Sequence, residues 1–510
     1  MKKMMKAAAG LLSAALVMGL ASCSGASSAV TGKTGRPLVT FMLIDFEGSP
    51  LTGEYAQTVI DKMTEYTNTD VEFQWIANDS YSEKIGLTLA NPSDMPMVMS
   101  IGSFTAGIID AAEAGAFWDL NDFIWDEEKY PNLSKANKNV CQSLTFNGQL
   151  IGLYKGREIG RNGMAYRTDW AEKLGLGEPQ TIDDVYNMLY QFTYGDPDGN
   201  GVKDTYGLAM CKHTGPFDII QTWFGCGNGW VENNGRMIPV HQTQEYMDAL
   251  DWLKKVYEDG LMAPDWAVRD TSTWADQVKK GESGMFVDVI DSSRRIWDYF
   301  ENNKVPSVVD PSKLASMTLV GPVNGKTMAT TGYNGFLVIT KAAKTKAQVE
   351  ACLHFIDKMD DNDMLVMTSY GLEGVHYHLD EDGFVVQDTI GDLSAVKAYG
   401  PLNQSQVFMK RGQDTNPTVR KNDRLLKQTE IIKKDEQYAV FNPALAYLVN
   451  SPTYSSQGAI LDQLLSDART QYICGRIDKK GLEAEFAKWN RQGGDQLIAE
   501  VNEQYQKNKK

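Results

Sequence analysis

The chain has 510 residues, and its 66 acidic side chains outnumber its 50 lysines and arginines, which gives a formal net charge of −16. An acidic balance of this size argues against nucleic acid as a partner, because affinity for nucleic acid depends on clusters of basic residues. With 42% hydrophobic residues and 11 tryptophans, the chain has enough apolar material for two large lobes.

The N-terminal segment 1–22 has the pattern of a bacterial signal peptide. Three lysines precede an apolar run at 7–20, which is too short to span a bilayer comfortably, and small residues then lead to Cys23. This arrangement resembles the lipobox of bacterial lipoproteins. The resemblance implies that Cys23 carries a diacyl lipid (palmitate) on its thiol, and the small, polar segment 23–36 fits a flexible tether. An ordinary cleaved signal with an incidental cysteine is the alternative.

Strand and helix patterns alternate along the first part of the mature chain. An apolar, β-branched strand is predicted at 37–46, a helix at 55–67 and a second strand at 70–77. A further helix ends at a turn at Asn91–Pro92, and a buried strand follows and ends near Gly102. This alternation predicts an α/β fold with a largely parallel sheet.

A second series of such patterns begins at 152–176, and no long linker separates the two series. The apolar strand 334–341, followed by a helix pattern at 345–359, indicates that the chain then returns to the first series. The end of the chain, 458–507, has a mostly helical pattern.

We therefore predict two lobes that the chain crosses more than once, near Gly152–Tyr154 and Gly332–Asn334. The expected lobes are 37–153 with 334–430, and 154–333 with 431–510.

Several stretches resemble one protein family, in the order in which that family has them. They include DMPMVMSIGSF at 94–104, MAYRTDWAEKLGL at 164–176 and GFLVITK at 335–341. The chain resembles the extracellular solute-binding lipoproteins of carbohydrate ABC importers, in their large oligosaccharide-binding branch. The resemblance implies a two-lobed periplasmic-binding-protein-like fold with a ligand cleft between the lobes. It also implies a monomeric receptor without catalytic activity, anchored by lipid to the extracellular face of the cell membrane, that delivers an oligosaccharide to an ABC permease.

A loop at 196–207, DPDGNGVKDTYG, has the oxygen pattern of a calcium site. Oxygen ligands occur at positions 1, 3, 5, 7 and 9, and a glycine at position 6 suits the sharp turn of an EF-hand loop. The ligands are Asp196, Asp198, Asn200, the carbonyl of Val202, and Asp204. Position 12 is Gly207 instead of the usual glutamate, and Thr205 stands where some similar proteins have an acid. Similar proteins often carry such a loop with bound Ca²⁺, which implies a structural calcium here; a polar turn without metal is the alternative.

The expected ligand contacts combine aromatic and polar side chains. Aromatic rings at strand-to-loop junctions can stack on the flat faces of sugar rings, while polar groups bind the hydroxyls. The aromatic candidates are Phe104, Tyr154, Trp223 with its neighbour Phe224, and Tyr333. The polar candidates come from the resemblance, at positions that face the cleft in the family: Arg161, His213, Asp288 and Glu373.

Other functions have weaker support in the sequence. Asp288, Asp291 and Glu373 could supply the carboxylates of a secreted polysaccharide-cleaving enzyme, and a peptide-binding importer component is a further alternative. His376 and His378 suggest a zinc importer only if a third ligand exists.

Two further features suggest no function. The segment 321–327 is one residue short of a phosphate-binding loop, which favours a turn. The cysteines other than Cys23 are widely spaced, so buried free thiols are expected, although Cys211 and Cys226 could pair.

Overall fold

The computed structural model describes residues 30–46, 48–213, 215–389, 392–408 and 415–508. The expected signal peptide, Cys23 and the first part of the tether lie outside these ranges.

Strands and helices alternate along the described chain. The strands are β1 Leu38–Asp45, β2 Asp70–Ala77, β3 Val98–Ile101, β4 Thr145–Phe146, β5 Gln149–Leu150, β6 Leu153–Gly156, β7 Asn162–Arg167, β8 Tyr206–Ala209, β9 Trp230–Asn233, β10 Arg236–Pro239, β11 Ser283–Val289, β12 Met317–Val320, β13 Thr327–Met328, β14 Tyr333–Ile339, β15 Tyr377–Leu379, β16 Val385–Gln387 and β17 Ala439–Val440. The helices are α1 Ala56–Thr67, α2 Asn78–Ala90, α3 Ala106–Glu113, α4 Lys138–Gln142, α5 Thr168–Leu174, α6 Ile182–Tyr194, α7 Gly215–Trp223, α8 Gln244–Glu258, α9 Asp276–Lys279, α10 Ile290–Asn302, α11 Lys346–Met359, α12 Asn362–Tyr370, α13 Leu393–Val396, α14 Asp423–Asp435, α15 Leu445–Leu448, α16 Pro452–Ile473, α17 Lys479–Trp489 and α18 Asp495–Asn508.

The first lobe is built on a five-stranded sheet with the order β2-β1-β3-β14-β6. Strands β1, β2 and β3 are parallel, and β14 is antiparallel to both β3 and β6. The consecutive side chains of Phe41, Met42 and Leu43 point to alternate faces and are all fully buried, as expected for a sheet that is covered on both faces. The strands predicted at 37–46, 70–77 and 334–341 are therefore confirmed.

The second lobe is built on a four-stranded sheet with the order β12-β7-β11-β8. Helices α5 and α6 cover one face, where Trp170 and Phe192 pack edge to face with their ring centroids 5.6 Å apart. Helix α6 begins with a capping box, in which Asp184 N donates to Thr181 Oγ1 and the Asp184 carboxylate accepts from Thr181 N. The C-terminal helices α16 to α18 pack beside this lobe, so the helical pattern predicted for the chain end is confirmed.

The chain crosses between the lobes slightly later than the sequence predicts. Strand β6, which contains Tyr154, still pairs with β14 in the first sheet, and the crossing follows at 157–161. A return crossing at 329–332 runs beside it, with Arg157 N donating to Gly332 O at 2.9 Å and Thr330 N donating to Ile159 O at 3.1 Å. Gly332 has a φ of 78°, and a Cβ there would lie 2.4 Å from a methyl group of Val140, so a glycine is needed.

A third crossing precedes α14. Helix α14 packs against α10 of the second lobe, where Arg424 Nε donates to Asp298 Oδ1 at 2.8 Å. The expected lobe boundary at 430 therefore falls inside a helix that contacts the second lobe along its length.

No helix in the described ranges is both long enough and apolar enough to cross a membrane. The segment 321–327 contains a tight turn, in which Val323 and Lys326 pair around Asn324 and Gly325, and both turn residues have positive φ. This turn agrees with the interpretation of that segment as a turn.

Candidate ligand-binding cleft

The edges of the two sheets lie next to each other at the crossings. In the first sheet β1 and β3 end at one edge, where the antiparallel strand β14 begins and β6 ends. In the second sheet β8, β11 and β12 end at one edge, where β7 begins. Because only residues 157–161 separate the end of β6 from the start of β7, these two edges flank a common cleft. The ends of strands in α/β sheets are the usual place for ligand sites.

A bidentate ion pair lies on the second-lobe side of the cleft. Arg161 Nε and Nη2 donate to the two carboxylate oxygens of Asp291 at 2.7 and 2.8 Å, and Arg295 donates to Asp291 at 2.9 Å. Partial burial by itself would raise the pKa of Asp291, but the two guanidiniums outweigh burial and hold that pKa below its usual value. Asp291 therefore stays ionised and holds Arg161 in one orientation.

Asp288 and His213 lie beside this pair. Burial raises the pKa of Asp288, while hydrogen bonds from Val289 N–H and Ser292 and the nearby His213 act in the opposite direction. His213 is exposed, and its ring faces Trp274 edge to face at 6.3 Å. The structure thus brings together three of the predicted polar residues, Arg161, His213 and Asp288.

An aromatic group lies on the first-lobe side. The ring of Phe336 is fully buried, with Phe104 at 5.0 Å and Tyr333 at 6.4 Å between ring centroids. Phe104 and Tyr333 are only half buried, because they stand at the sheet edge where β3 ends and β14 begins. Two of the predicted aromatic residues thus share one surface, which a sugar ring could stack against.

A polar groove, formed by two adjoining cavities of about 560 and 300 Å³, lies at the same edge of the first sheet. Lys155, at the end of β6, lines the larger cavity. Lys155 is not among the ligand contacts expected from the sequence. A lysine within the otherwise apolar strand LYKG was the signal that could have identified it.

A further cavity of about 470 Å³ lies in the second lobe between α7, the β9–β10 hairpin and the C-terminal helices. Its wall combines the aromatic rings of Trp230, Tyr246, Tyr454 and Trp489 with Asp218, Asp462 and Arg469. Arg469 Nη1 donates to Asp218 at 2.7 Å, and burial raises the pKa of Asp462. Met328, which directly precedes the crossing at 329–332, also lines this cavity, so the cavity lies beside that crossing. Local sequence patterns do not indicate this cavity, because its walls come from segments about 250 residues apart.

The remaining predicted residues occupy other places. Tyr154 is buried, with its hydroxyl accepting a hydrogen bond from Asn137 N at 2.8 Å and its ring 4.6 Å from that of Phe408. It also lines a separate cavity of about 350 Å³ beside the crossings at 157–161 and 329–332. Trp223 is buried in the core of the second lobe, and its neighbour Phe224 packs on Trp252. Glu373 is exposed in the loop between α12 and β15 and is not among the residues that line the cavities described above.

The two histidines proposed for zinc do not act together. His376 is buried, its Nδ1 accepts from Leu372 N at 3.0 Å, and burial lowers its pKa. His378 is exposed and contacts Asp388 at 2.8 Å. Cys211 and Cys226 are buried free thiols and do not pair, as expected.

The loop 196–204 connects α6 to β8 and is folded by its own polar side chains. Asp196 accepts from Gly199 N at 3.0 Å, and Val202 N donates to Asn200 Oδ1 at 2.6 Å. Asn200 Nδ2 donates to Asp198 at 2.7 Å and is within 3.3 Å of Asp204, so an amide nitrogen occupies the position between these two carboxylates. Within the described ranges no group of three or more His, Cys, Asp or Glu side chains is arranged to hold a metal ion.

The chemistry of this loop nevertheless suits a hard cation. Burial raises the pKa of Asp198, and the neighbouring carboxylates Asp196 and Asp204 add to the effect. This is a cluster of like charges that a cation would relieve. Thr205 Oγ1 donates to Phe192 O at 2.9 Å and so is committed to α6. A Cβ at Gly207 would lie 2.5 Å from Leu189 O, so α6 leaves no room for a glutamate at position 12.

The sequence matches a protein family and several characterised relatives. Residues 48–356 match the family of bacterial extracellular solute-binding proteins. Lipoprotein LipO of Bacillus subtilis (strain 168) is 33% identical over 502 residues, which cover 96% of this chain and 97% of LipO. The polygalacturonan/rhamnogalacturonan-binding protein YtcQ of the same organism is 28% identical over 506 residues, which cover 96% of each chain.

Solved structures show the same fold at low identity. An extracellular solute-binding protein from Bifidobacterium longum subsp. infantis has a TM-score of 0.66 at 17% identity, over 94% of this chain and 99% of that one. An EF-hand mutant of the ABC-transporter substrate-binding protein FusA of S. pneumoniae, in complex with fructo-nystose, has a TM-score of 0.58 at 16% identity, over 92% of this chain and 99% of that one. These likenesses establish the two-lobed periplasmic-binding-protein-like fold, and the EF-hand of FusA shows that a calcium-type loop occurs within it.

The matching family and the relative YtcQ are named for binding solutes, so the enzyme alternative is wrong. With most of its length matched by the family and a full-length relative at 33% identity, the chain belongs to the bacterial extracellular solute-binding proteins.

Proposed function

We propose that this protein is a receptor that binds an oligosaccharide between its two lobes and delivers it to the permease of an ABC importer. The observation that carries the proposal is the cleft, where the aromatic surface of Phe104 and Tyr333 and the charged group around Arg161 lie on opposite lobes. A sugar ring can stack on the first surface while its hydroxyls bind the second. The ligands named for YtcQ and FusA, both saccharides, support the same ligand class.

The receptor closes on its ligand and performs no chemistry. The crossings at 157–161 and 329–332 are short, so the lobes can rotate about them as rigid bodies. A ligand that contacts both lobes stabilises the closed form and shifts a pre-existing equilibrium toward it. The closed form then docks on the permease, and a separate ATPase supplies the energy for transport.

The test is a binding screen on the purified mature protein, with oligosaccharides of several linkages alongside peptides. We expect a bound oligosaccharide to raise the melting temperature, to lower the radius of gyration in X-ray scattering and to be recovered intact. Arg161→Met should weaken that binding at least tenfold, because it removes a charged hydrogen-bonding group from the cleft. Binding of peptides in place of saccharides would overturn the proposal. Light scattering after size exclusion checks the accompanying proposal that the receptor is a monomer.

We propose that Ca²⁺ binds the loop 196–204 through Asp196, Asp198, Asn200, the Val202 carbonyl and Asp204, and stiffens the connection from α6 to β8. Chelation by EDTA should lower the melting temperature, on the order of 5 °C for a site saturated about a hundredfold above its Kd. Asp198→Ala should remove the sensitivity to EDTA, while Asp183→Ala, an exposed acid on α6, should preserve it. A wild-type melting curve that EDTA leaves unchanged would show that the loop is only a polar turn.

We propose that Cys23 anchors the receptor by lipid to the extracellular face of the cell membrane, with 1–22 as the signal peptide. The similarity to LipO, which is named a lipoprotein, supports this assignment. Cys23→Ala should release the protein from washed membranes into the soluble fraction, and Cys474→Ala should leave it bound. Retention of the Cys23→Ala protein on the membrane would refute lipid anchoring at this residue.

A further inference from the structure

The polar groove of the first lobe contains a cation, Lys155, that no acidic side chain of the described residues balances. The larger of its two cavities is lined mainly by neutral hydroxyl and amide groups, and among the described residues of its wall only Lys155 is charged. The neutral polar residues are Thr368, Ser369, Gln387, Tyr399, Asn403, Gln404 and Gln406.

Lys155 is held in place by neutral acceptors. Its Nζ donates to Ser100 Oγ and to Gln404 Oε1, each at 3.0 Å. An ammonium group has three N–H donors, and in the described part of the chain the third finds no protein acceptor, nor does any carboxylate form an ion pair with it. Because Lys155 lines the cavity, this donor can bind a molecule that enters the groove.

The described part of the chain compensates the charge of Lys155 poorly. Burial lowers the pKa of Lys155 to about 7, because the ammonium loses its hydration without gaining a negative partner. Two charged groups line the adjoining smaller cavity: Lys397, after α13, and Asp45, at the end of β1, which accepts from Gly48 N at 2.7 Å. An anion of the ligand would supply the compensation that these groups do not provide.

We propose that the ligand is an acidic oligosaccharide and that Lys155 selects it by binding a uronate carboxylate in the first-lobe groove. One lysine matches the single negative charge of a carboxylate, whereas a phosphate monoester carries up to two charges. The surrounding amides and hydroxyls both donate and accept, which suits the hydroxyls of the same sugar ring. The inference rests on the proposed function and names the specificity of that receptor.

Binding of the carboxylate should also take up protons. A bound anion favours the charged form of Lys155, so its pKa rises on binding. Affinity for the acidic ligand is then greatest below pH 7 and falls as the pH rises from 7 to 9, where the free receptor has a neutral lysine. An arginine at position 155 stays charged over this pH range. The affinity of the Lys155→Arg protein for the acidic ligand should therefore not vary with pH.

The experiment compares matched acidic and neutral ligands by titration calorimetry at pH 6 and pH 8.5. The ligands are trimers of galacturonate, glucuronate, mannuronate and guluronate, each paired with the same trimer after reduction of its carboxyl groups. We expect the wild type to bind one acidic trimer at least tenfold more tightly than its reduced form at pH 6, in keeping with a charge-assisted hydrogen bond. Lys155→Gln should lose this preference, and Lys155→Arg should keep it without the pH dependence. Lys62→Gln, which removes an exposed lysine of α1 outside the groove, is the matched control and should behave as wild type.

The outcomes separate the two proposals. Equal affinity of the wild type for acidic and reduced trimers, or an acidic preference that survives in Lys155→Gln, overturns the role of Lys155 and leaves the oligosaccharide receptor intact. If no saccharide binds and a peptide does, both proposals fail. Lys155→Arg keeps the test decisive if Lys155→Gln folds poorly, because it retains the buried charge and changes only the pH profile.

Discussion

Replacing Asp435 with asparagine should stabilise the protein at pH 8 and remove a loss of stability that the wild type shows between pH 5 and pH 8. Asp435 is the last residue of α14, is fully buried, and neither carboxylate oxygen has a hydrogen-bond partner in the described structure. The Asp435 carboxylate packs closely on Gly321: a Cβ added to Gly321 would lie 1.8 Å from Asp435 Oδ1. Burial raises the pKa of Asp435 from 3.8 to about 7, with Lys434 acting weakly in the opposite direction.

The sign of the effect follows from proton linkage. Between pH 4 and pH 7 the folded protein keeps the proton on Asp435, whereas the unfolded chain has released it, so stability falls as the pH rises. At about 1.4 kcal/mol per pH unit, this single group accounts for up to about 3 kcal/mol between pH 5 and pH 8. The negative end of the α14 dipole lies at the same residue and also disfavours the carboxylate.

The measurement is the melting temperature of the wild type and of Asp435→Asn at pH 5 and pH 8. We expect the advantage of the variant to grow with pH. Asp423→Asn, which replaces an exposed aspartate at the start of the same helix, should follow the wild-type pH profile. Parallel pH profiles for Asp435→Asn and the wild type would mean that the buried carboxyl ionises as freely as one in water.

Arg167→Met should destabilise the second lobe by about 3–5 kcal/mol, because it leaves a buried charge without its partner. Arg167 donates to both carboxylate oxygens of Asp169 at 2.8 and 2.7 Å, and the two side chains are only 5% and 3% exposed. The guanidinium also lies 5.1 Å from the centroid of the Trp170 ring and 5.0 Å from that of Phe300. Val308 N also donates to the Asp169 carboxylate, at 3.1 Å. One hydrogen bond from a neutral amide cannot replace the positive charge of the lost guanidinium.

Urea denaturation of the single and double variants measures this effect. Adding Asp169→Leu to Arg167→Met should recover most of the lost free energy of unfolding, since an apolar pair of similar volume carries no buried charge. Arg295→Met, which breaks an ion pair whose arginine is 58% exposed, should change stability by less than about 1 kcal/mol. A loss in Arg167→Met as small as that of the control would show that Asp169 is solvated in the folded state.

The sequence by itself determined the elements and the place of the polar loop. Strands such as Leu38–Asp45 and Tyr333–Ile339 were predicted because strands buried on both faces are nearly continuous apolar runs. The return of the chain to the first lobe followed from a second run of this type, and the loop 196–204 from spacing alone. The family resemblance supplied Arg161, His213 and Asp288, which lie at the ends or beginnings of strands of one sheet and therefore meet at one edge.

Only the tertiary structure decided which side chains face the cleft. An aromatic residue at a strand end can point into the core or out of it, and the packing of Phe408 and Asn137 placed Tyr154 inside. Lys155 lines the groove together with Gln404, which is 249 positions later in the chain and accepts a hydrogen bond from the Lys155 ammonium. The burial of Asp435 likewise depends on a contact with a distant segment, at Gly321. These contacts join segments distant in the chain, and local patterns of polarity carry no information about them.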